Sequence, residues 1–397
     1  MNPSPDLLLA YDFPPMGGGI ARWMSEIAMR YPPGELIVCT GCLPGDTAAD
    51  TRLPNVVSRL PLASGRLRTV QGQIRWAARV AALHRQCRFG FAWCDNIRPS
   101  AYPANVLWRM SDVPYGVLLH GSDLFDWRQR FRRSAFKRFV ARRLFGDAAV
   151  VVTNSRWTGD LAREVLEELG LPQSIPRIRI VPLGTDPAAF RPDLDPAGLR
   201  QAYQLPAGLW VVTVARLELY KGVDVAIRAV AMLREDVPTL RYAVVGDGPA
   251  RAELEALARS EGVADRVHFL GAVPDSMVAQ AYVLADVYLG LTRQTERNVE
   301  GFGISLVEAQ ASGRPVLAGR GGGTADAVKD GVTGLLVDPT DPGEVARQLG
   351  TLLKDRARSA ALGQAGRHEV ERYYNWDRVV AELRALSAAA KLGNLPR

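Results

Sequence analysis

Val211-Val212-Thr213-Val214-Ala215-Arg216-Leu217-Glu218-Leu219-Tyr220-Lys221-Gly222 is the stretch on which the fold turns. Its apolar, β-branched first half has strand length and reads as a buried strand. Arg216 stands at the strand's end and Lys221 follows after a short loop. That places two cations at the carboxyl edge of a sheet, where open α/β folds bind ligands. Outward in both directions the rhythm continues, short apolar runs alternating with longer helix-like segments. It predicts βα units and parallel sheets. The predicted strands of the first half are 7–10, 36–39, 89–93, 116–119, 148–153 and 179–182; those of the second half are 210–215, 242–245, 267–270, 287–291, 315–318 and 335–337.

Between the two series, Pro182 to Pro206 also holds Pro187, Pro192 and Pro196 and shows no sustained periodicity, so it reads as an interdomain linker. A chain of 397 residues is long for one α/β domain and comfortable for two, each with its own core. Hydrophobic residues at 47% and charged residues at 23% are the balance of a globular protein rather than a disordered one. No apolar run reaches the roughly 18 to 20 residues that cross a bilayer, and Leu7 to Ala10 is too short for a signal peptide, so a cytoplasmic location is expected. Trp376 to Leu392 reads as a helix with Val379, Val380, Leu383 and Leu386 on one side. Cys39, Cys42, Cys87 and Cys94 are too few for a disulfide scaffold. Cys39 and Cys42 have metal-ligand spacing, but Cys39 closes the apolar run Leu36-Ile37-Val38, so a buried strand is expected there and no metal.

The formal net charge is +7, and it is concentrated. Between Phe125 and Phe145 lie Arg128, Arg130, Arg132, Arg133, Lys137, Arg138, Arg142 and Arg143 against the single acid Asp126, while the rest of the chain balances. Trp127, Phe131, Phe136 and Phe139 are interleaved with them, the composition of an interfacial helix, although the charges fall on several sides of a helical wheel. Arg128, Arg132, Arg133, Lys137 and Arg138 are the candidate contacts to an anionic membrane surface or an acceptor. Charge this confined, with no recognised nucleic-acid module, argues against a nucleic-acid partner.

The densest signal is Glu300-Gly301-Phe302-Gly303-Ile304-Ser305-Leu306-Val307-Glu308-Ala309. Two glycines follow an acid, a helix begins near Ile304, and Glu308 sits about one turn inside it. The N–H groups at such a helix start, with the positive end of its dipole, suit a phosphate. Glu308 lies beside that anion and suits sugar hydroxyls. A capped helix packed on a strand leaves the same glycines. Arg216 and Lys221 are placed to neutralise a diphosphate, the work Mg²⁺ does in other transferases. Asp193-Leu194-Asp195, the Asp-x-Asp of the chain, lies in the linker and not at a strand end. In the first half, Tyr11-Asp12-Phe13-Pro14-Pro15-Met16-Gly17-Gly18-Gly19 follows a strand and precedes a helix, a loop through which backbone approaches a ligand. Neither it nor Gly246-Asp247-Gly248-Pro249 has the dinucleotide G-x-G-x-x-G spacing. His120, at the strand end Leu119-His120-Gly121-Ser122-Asp123, is placed to donate a hydrogen bond to a sugar hydroxyl or the reacting centre.

Together these motifs resemble the family-4 retaining glycosyltransferases of the GT-B fold over nearly the whole chain. The E-x7-E pattern matches Glu300 and Glu308, R-x4-K matches Arg216 and Lys221, and G-x-G-P matches Gly246 to Pro249. The N-terminal glycine loop matches Gly17 to Gly19, the H-G pair His120-Gly121, and the Asn-Ser segment Asn154-Ser155. The resemblance implies an α/β protein of two Rossmann-like doubly wound domains facing across a cleft, with the C-terminal helix crossing back to the first. Residues 1–190 with 375–397 would bind the acceptor and 191–374 the nucleotide-sugar. Arg216 and Lys221 would hold the donor diphosphate, Glu308 the ribose, and Glu300 with the backbone of Gly301, Phe302, Gly303, Ile304, Ser305 and Leu306 the transferred sugar. Gly246 would line the donor site, Gly18 and Gly19 would face the phosphate or acceptor, and His120 would approach the reacting carbon. His120, Glu300, Arg216 and Lys221 are thus the catalytic candidates, with no cofactor and no metal.

Within the family, Asp12-Phe13-Pro14-Pro15 and the long Thr292 to Val299 insert before Glu300 look like the mannosyltransferases acting on phosphatidylinositol mannosides. The resemblance therefore points to GDP-mannose as donor, a lipid-linked saccharide or glycan as acceptor, and a peripheral position on the cytoplasmic face of the membrane. Two other readings stay open: a soluble transferase making a small glycoside from a UDP-sugar, and a sugar-nucleotide epimerase of similar architecture.

Overall fold

A computed structural model describes residues 4–296 and 298–395. The first series of apolar runs forms β1 (Asp6–Leu9), β2 (Leu36–Cys42), β3 (Val56–Ala63), β4 (Phe91–Cys94), β5 (Tyr115–Leu119), β6 (Val150–Thr153) and β7 (Ile178–Ile180). The second forms β8 (Leu209–Val214), β9 (Leu240–Val245), β10 (Val267–Gly271), β11 (Val287–Gly290), β12 (Val316–Gly319) and β13 (Leu335–Val337). Within each sheet every strand pairing is parallel. Helices connect the strands and cover both faces, which is why β1, β4, β5 and β6 are buried along their whole length and read as continuous apolar runs. Sequence periodicity missed β3. It is an edge strand carrying Ser58, Arg59 and Pro61, and an edge tolerates a proline and polar residues that a central strand does not.

Residues up to Leu183, together with those from Trp376 on, form one compact unit, and Gly184–Asn375 forms the other. The stretch that reads as linker therefore belongs mostly to the second unit from Gly184 on. There Leu199 and Leu205 are buried in a cluster with Trp210, so their apolar surface is held although they lack strand or long-helix periodicity. In the first unit Trp76, Tyr115, Trp127, Phe131 and Phe145 share a core between sheet and helices. Each such side chain contributes about 1.5–3 kcal/mol by leaving water. The final helix, Trp376–Lys391, packs on the first unit through Trp376, Val379, Val380 and Leu383. Ion pairs of Arg30 with Asp377 at 3.0 Å, Arg384 with Glu35 at 2.6 Å and Lys391 with the buried Asp6 at 2.6 Å fix its register.

Strand order positions the site. The first sheet runs β3-β2-β1-β4-β5-β6-β7 and the second β10-β9-β8-β11-β12-β13. Winding thus reverses between β1 and β4 in one unit and between β8 and β11 in the other. At such a reversal the two loops leave in opposite directions and open a crevice at the carboxyl ends of the strands.

Candidate functional site

In the second unit, the loop after β8 carries Arg216 and Lys221 and the loop after β11 leads to Glu300. Lys221 Nζ lies 2.7 Å from Glu300 Oε2, a pair that spans the reversal. Thr292 Oγ1 donates to the same oxygen at 3.4 Å, and the Tyr220 ring lies 5.0 Å from the ammonium. Burial works against the charge on Lys221, but the Glu300 carboxylate outweighs it and holds the ammonium above the usual lysine range. The loop is pinned from behind. Arg293 donates its N–H to the Tyr220 carbonyl at 2.8 Å and its guanidinium to both oxygens of Asp224 at 2.9 and 3.1 Å. Arg216 stands differently. Its side chain is 73% exposed against 18% for Lys221, and it pairs with Glu218 at 3.2 Å. The two cations expected to act together therefore hold separate carboxylate partners.

Beyond Glu300 the chain turns into the helix Ile304–Ala311 through Gly303, whose φ of 100° favours glycine and whose added Cβ would lie 2.7 Å from Leu306. No side chain caps this helix; Leu306 and Val307 donate their N–H groups to the Gly303 carbonyl at 3.0 and 3.4 Å, and Ile304 and Ser305 stand at its open end. Gly301 and Phe302 precede it, and the Glu300 carbonyl accepts the Gly323 N–H at 2.8 Å. Ser305 and Leu306 lie in its first turn. Ser305 bonds the Tyr288 hydroxyl; burial pushes that hydroxyl up to about 12, against the Ser305 bond, which lowers it. Glu308 is buried, and Tyr282 donates its hydroxyl to Glu308 Oε2. The Tyr282 ring is itself wedged between Tyr288 and Phe190, centroids 5.3 and 5.5 Å away. At the end of β9, Gly246 has φ 120° and its Cβ would fall 2.0 Å from the Ala215 carbonyl, so only glycine fits against the β8 loop. Tyr288, which bonds Ser305, lies within electrostatic reach of both Lys221 and Glu308 and so stands between the Lys221–Glu300 and Tyr282–Glu308 pairs. Tyr282 escaped the sequence reading because an aromatic in an apolar helix carries no signal of its partner.

In the first unit, Gly18 precedes and Gly19 begins the helix Gly19–Arg30. His120 is buried at the end of β5. Its Nε2 lies 2.5 Å from the Asp95 carbonyl, and its ring meets Trp23 edge-on at 5.1 Å. A carbonyl only accepts, so Nε2 carries a proton, and any further hydrogen bond from this ring is made through Nδ1. The donor role expected of His120 toward a ligand therefore requires the doubly protonated ring. Asp12 and Asp123 lie within electrostatic reach of it, and burial raises both carboxyls while His120 opposes the rise. Asp95, also missed, follows β4 and is fully buried. Burial first and the Asp12 charge second raise its carboxyl to about 7, against the hydrogen bonds from Ser100, Asp12 and Tyr11. An acid at the end of a central strand, in Cys94-Asp95-Asn96, was the available signal.

The basic segment folds as two helices, Ser122–Arg132 and Ala135–Gly146, rather than one, because Ser134 caps the second by accepting the Lys137 N–H. Arg128 and Arg132 bond Glu168, and Arg128 also bonds Glu164 at 3.1 Å. Arg138 donates to the Glu168 carbonyl and Arg142 to the Leu169 carbonyl. These arginines complement the carboxyl end of the helix Arg156–Glu168, where cations are favoured. Of the five expected surface contacts, Arg128, Arg132 and Arg138 are thus engaged internally. Arg133 and Lys137 remain beside Phe136 and Phe139, which are 74% and 56% exposed. Among the described residues no helix is long and apolar enough to cross a membrane, and no group of three or more His, Cys, Asp or Glu is placed to hold a metal.

Two parallel doubly wound sheets, a C-terminal helix returned to the first unit and a cation-glycine-carboxylate site at a winding reversal define a GT-B glycosyltransferase. The family described as glycosyl transferases group 1 matches residues 201–369. The GDP-mannose-dependent alpha-(1-6)-phosphatidylinositol monomannoside mannosyltransferase of Mycolicibacterium smegmatis is 32% identical over 374 residues, 93% of this chain and 94% of that protein. The protein of the same description from Mycobacterium tuberculosis H37Rv is 31% identical over 404 residues, 95% and 96% of the two chains. Anabaena Alr3699/HepE, crystallised with UDP and glucose, has a TM-score of 0.76 at 21% identity, covering 97% of this chain and 99% of its own. The chain belongs to the group 1 glycosyltransferases, and the epimerase reading is not favoured.

Proposed function

We propose that the protein transfers mannose from GDP-mannose, with retention of anomeric configuration, to a lipid-linked saccharide or glycan at an anionic membrane surface. The observation that carries this is the 32% identity, spread over 93% of the chain, to a GDP-mannose-dependent mannosyltransferase. The second unit takes the donor. Lys221, drawn partly from Glu300, and Arg216 from the open side bind the diphosphate, while the uncapped helix at Ile304 adds its dipole. Both act on the charge that grows on the leaving phosphate, where preorganised donors have their largest effect. Glu308 accepts the ribose hydroxyls, and Glu300 with the backbone from Gly301 to Leu306, with Gly246 nearby, orients the sugar. The first unit takes the acceptor, with Gly18, Gly19 and His120 as its contacts. Attack comes on the face the diphosphate leaves, and its β-phosphate oxygen accepts the acceptor proton, so positioning and charge supply the rate without a metal.

Phe136 and Phe139 with Arg133 and Lys137 dock the enzyme to anionic lipid on the cytoplasmic face. The test is transfer from GDP-mannose and, separately, UDP-glucose to phosphatidylinositol monomannoside in mixed micelles, with the product's anomeric proton read by NMR. An α-linked mannoside made from GDP-mannose alone is expected. A β-linked product overturns retention, turnover of UDP-glucose alone overturns the donor, and donor isomerised without acceptor restores the epimerase.

A further inference from the structure

Three neighbouring strand ends of the first sheet converge on one residue. β1, β4 and β5 are adjacent, and winding reverses between β1 and β4. From the end of β4, Asp95 reaches both ways. Its Oδ2 accepts the N–H groups of Tyr11 and Asp12, at 2.6 and 2.9 Å, from the loop that leaves β1 toward Gly18. Its Oδ1 accepts the Ser100 hydroxyl, and its main-chain carbonyl accepts His120 Nε2 at 2.5 Å, from the end of β5. The residue is 0% exposed. A fully buried carboxyl group with both oxygens engaged by backbone and hydroxyl donors is a fixed point, since each bond it loses leaves a buried polar group unpaired.

We propose that Asp95 is a positioning residue: by anchoring the glycine-loop backbone with its carboxyl group and the His120 ring with its carbonyl, it sets the loop and the histidine's tautomer together. The inference rests on the site reading that gives His120 and the glycine loop a part in transfer. It goes further in naming what holds them. With Nε2 tied to Asp95, the neutral His120 ring presents Nδ1 as an acceptor, and it donates there only when doubly protonated, its single positive charge balanced by Asp12 and Asp123. Arg68, whose guanidinium lies 4.1 Å from the Tyr11 ring centroid, also opposes the rise of Asp12 and completes the charged groups facing this corner. An untethered ring would sample both tautomers and rotate, and displacements of about 1 Å in such a group cost on the order of 10²-fold in rate.

The experiment compares Asp95→Ala with Asp95→Asn in the full chain. The amide of the second variant keeps an acceptor for Tyr11 and Asp12 and places its NH₂ against Ser100 Oγ. Only His84, His120, His268 and His368 are present, so selective ¹⁵N-histidine labelling, with His120 identified by its loss in His120→Asn, reads the tautomer directly. Wild type is expected to show His120 as the Nε2–H form. Asp95→Ala keeps the main-chain carbonyl but removes the side-chain bonds that fix its position, so His120 is expected to show mixed tautomers as that carbonyl shifts away from Nε2, with kcat on GDP-mannose down about 10²-fold and donor KM within about threefold. Asp95→Asn is expected to recover both the spectrum and most of kcat. Should Asp95→Ala not fold, Ser100→Ala removes a single anchor and is expected to loosen the tautomer and lower kcat about threefold.

A folded Asp95→Ala or Ser100→Ala with the wild-type histidine spectrum and wild-type kcat overturns the proposal. A loss of stability with kcat per folded molecule unchanged also overturns it, because it marks a purely structural residue. If wild type turns over no GDP-mannose, the donor reading falls while the histidine spectrum still decides Asp95.

Discussion

The two winding reversals of this protein are built alike and closed differently. Between β8 and β11 the bridge is a pair of side chains, Lys221 and Glu300, each about a fifth exposed. Between β1 and β4 it is a carboxyl group sunk completely in the protein that grips main-chain N–H groups. The same topology brings strand ends together in both, yet only the first kind of bridge can exchange its partner. An ammonium that still reaches solvent can trade a carboxylate for a phosphate at little net loss, since both are charge-assisted bonds. A buried acid that organises backbone cannot be spared. The second unit's reversal is therefore suited to binding and release, and the first unit's to holding a loop and a histidine in place.

The strongest way to break this comparison is Lys221→Ala. It removes the exchangeable cation and is expected to lower kcat/KM for the donor by on the order of 10³ while the protein still melts cooperatively. Unchanged GDP affinity in that variant, measured by calorimetry, would sink the role given to the pair. Tyr282→Phe is expected to weaken donor binding about tenfold through a loosened Glu308, in line with roughly 1.5–3 kcal/mol for a hydrogen bond to a charged group. An equal loss in a donor analogue lacking the ribose hydroxyls would show that Glu308 does not bind them. For the basic segment, Phe136→Ser with Phe139→Ser is expected to reduce binding to phosphatidylglycerol vesicles about fivefold, whereas Arg128→Ala lowers Tm without changing vesicle binding. The reverse pattern would return docking to the arginines.

The smallest effect concerns Asp95 itself. Its carboxyl titrates near 7 when folded and near the ordinary aspartate value when unfolded. The folded state thus holds the extra proton in between, and that contribution to stability is complete below the unfolded value and lost as pH rises through 7. Asp95→Asn cannot lose it. Relative to wild type its Tm is expected to gain a few degrees between pH 5 and pH 8, and a constant difference would place the carboxyl's titration elsewhere.

How much was legible before the fold depended on the distance over which each signal acts. Twelve strands could be read because each carries a short apolar run, buried along its whole length in β1, β4, β5 and β6, and β3 escaped because its edge position allowed Pro61 and Arg59. Glu300, the glycines and Glu308 were legible as a local pattern, and so were Arg216 and Lys221. The partners were not: Tyr282 with Glu308, Asp95 with Tyr11, and Arg128 with Glu168 are dozens of residues apart. The segment around Arg128 read as an interfacial surface for the same reason. Counting charges cannot reveal that the end of a neighbouring helix engages four of them.

The sequence by itself determined the alternation of strands and helices, the two cores and the loops that carry the charged and glycine residues, because periodicity and backbone freedom are properties of short stretches. Which charges meet was decided only in three dimensions, where strand order brings remote loops to one sheet edge. Pairing energy depends on separation and burial, and neither is written in any single stretch of chain.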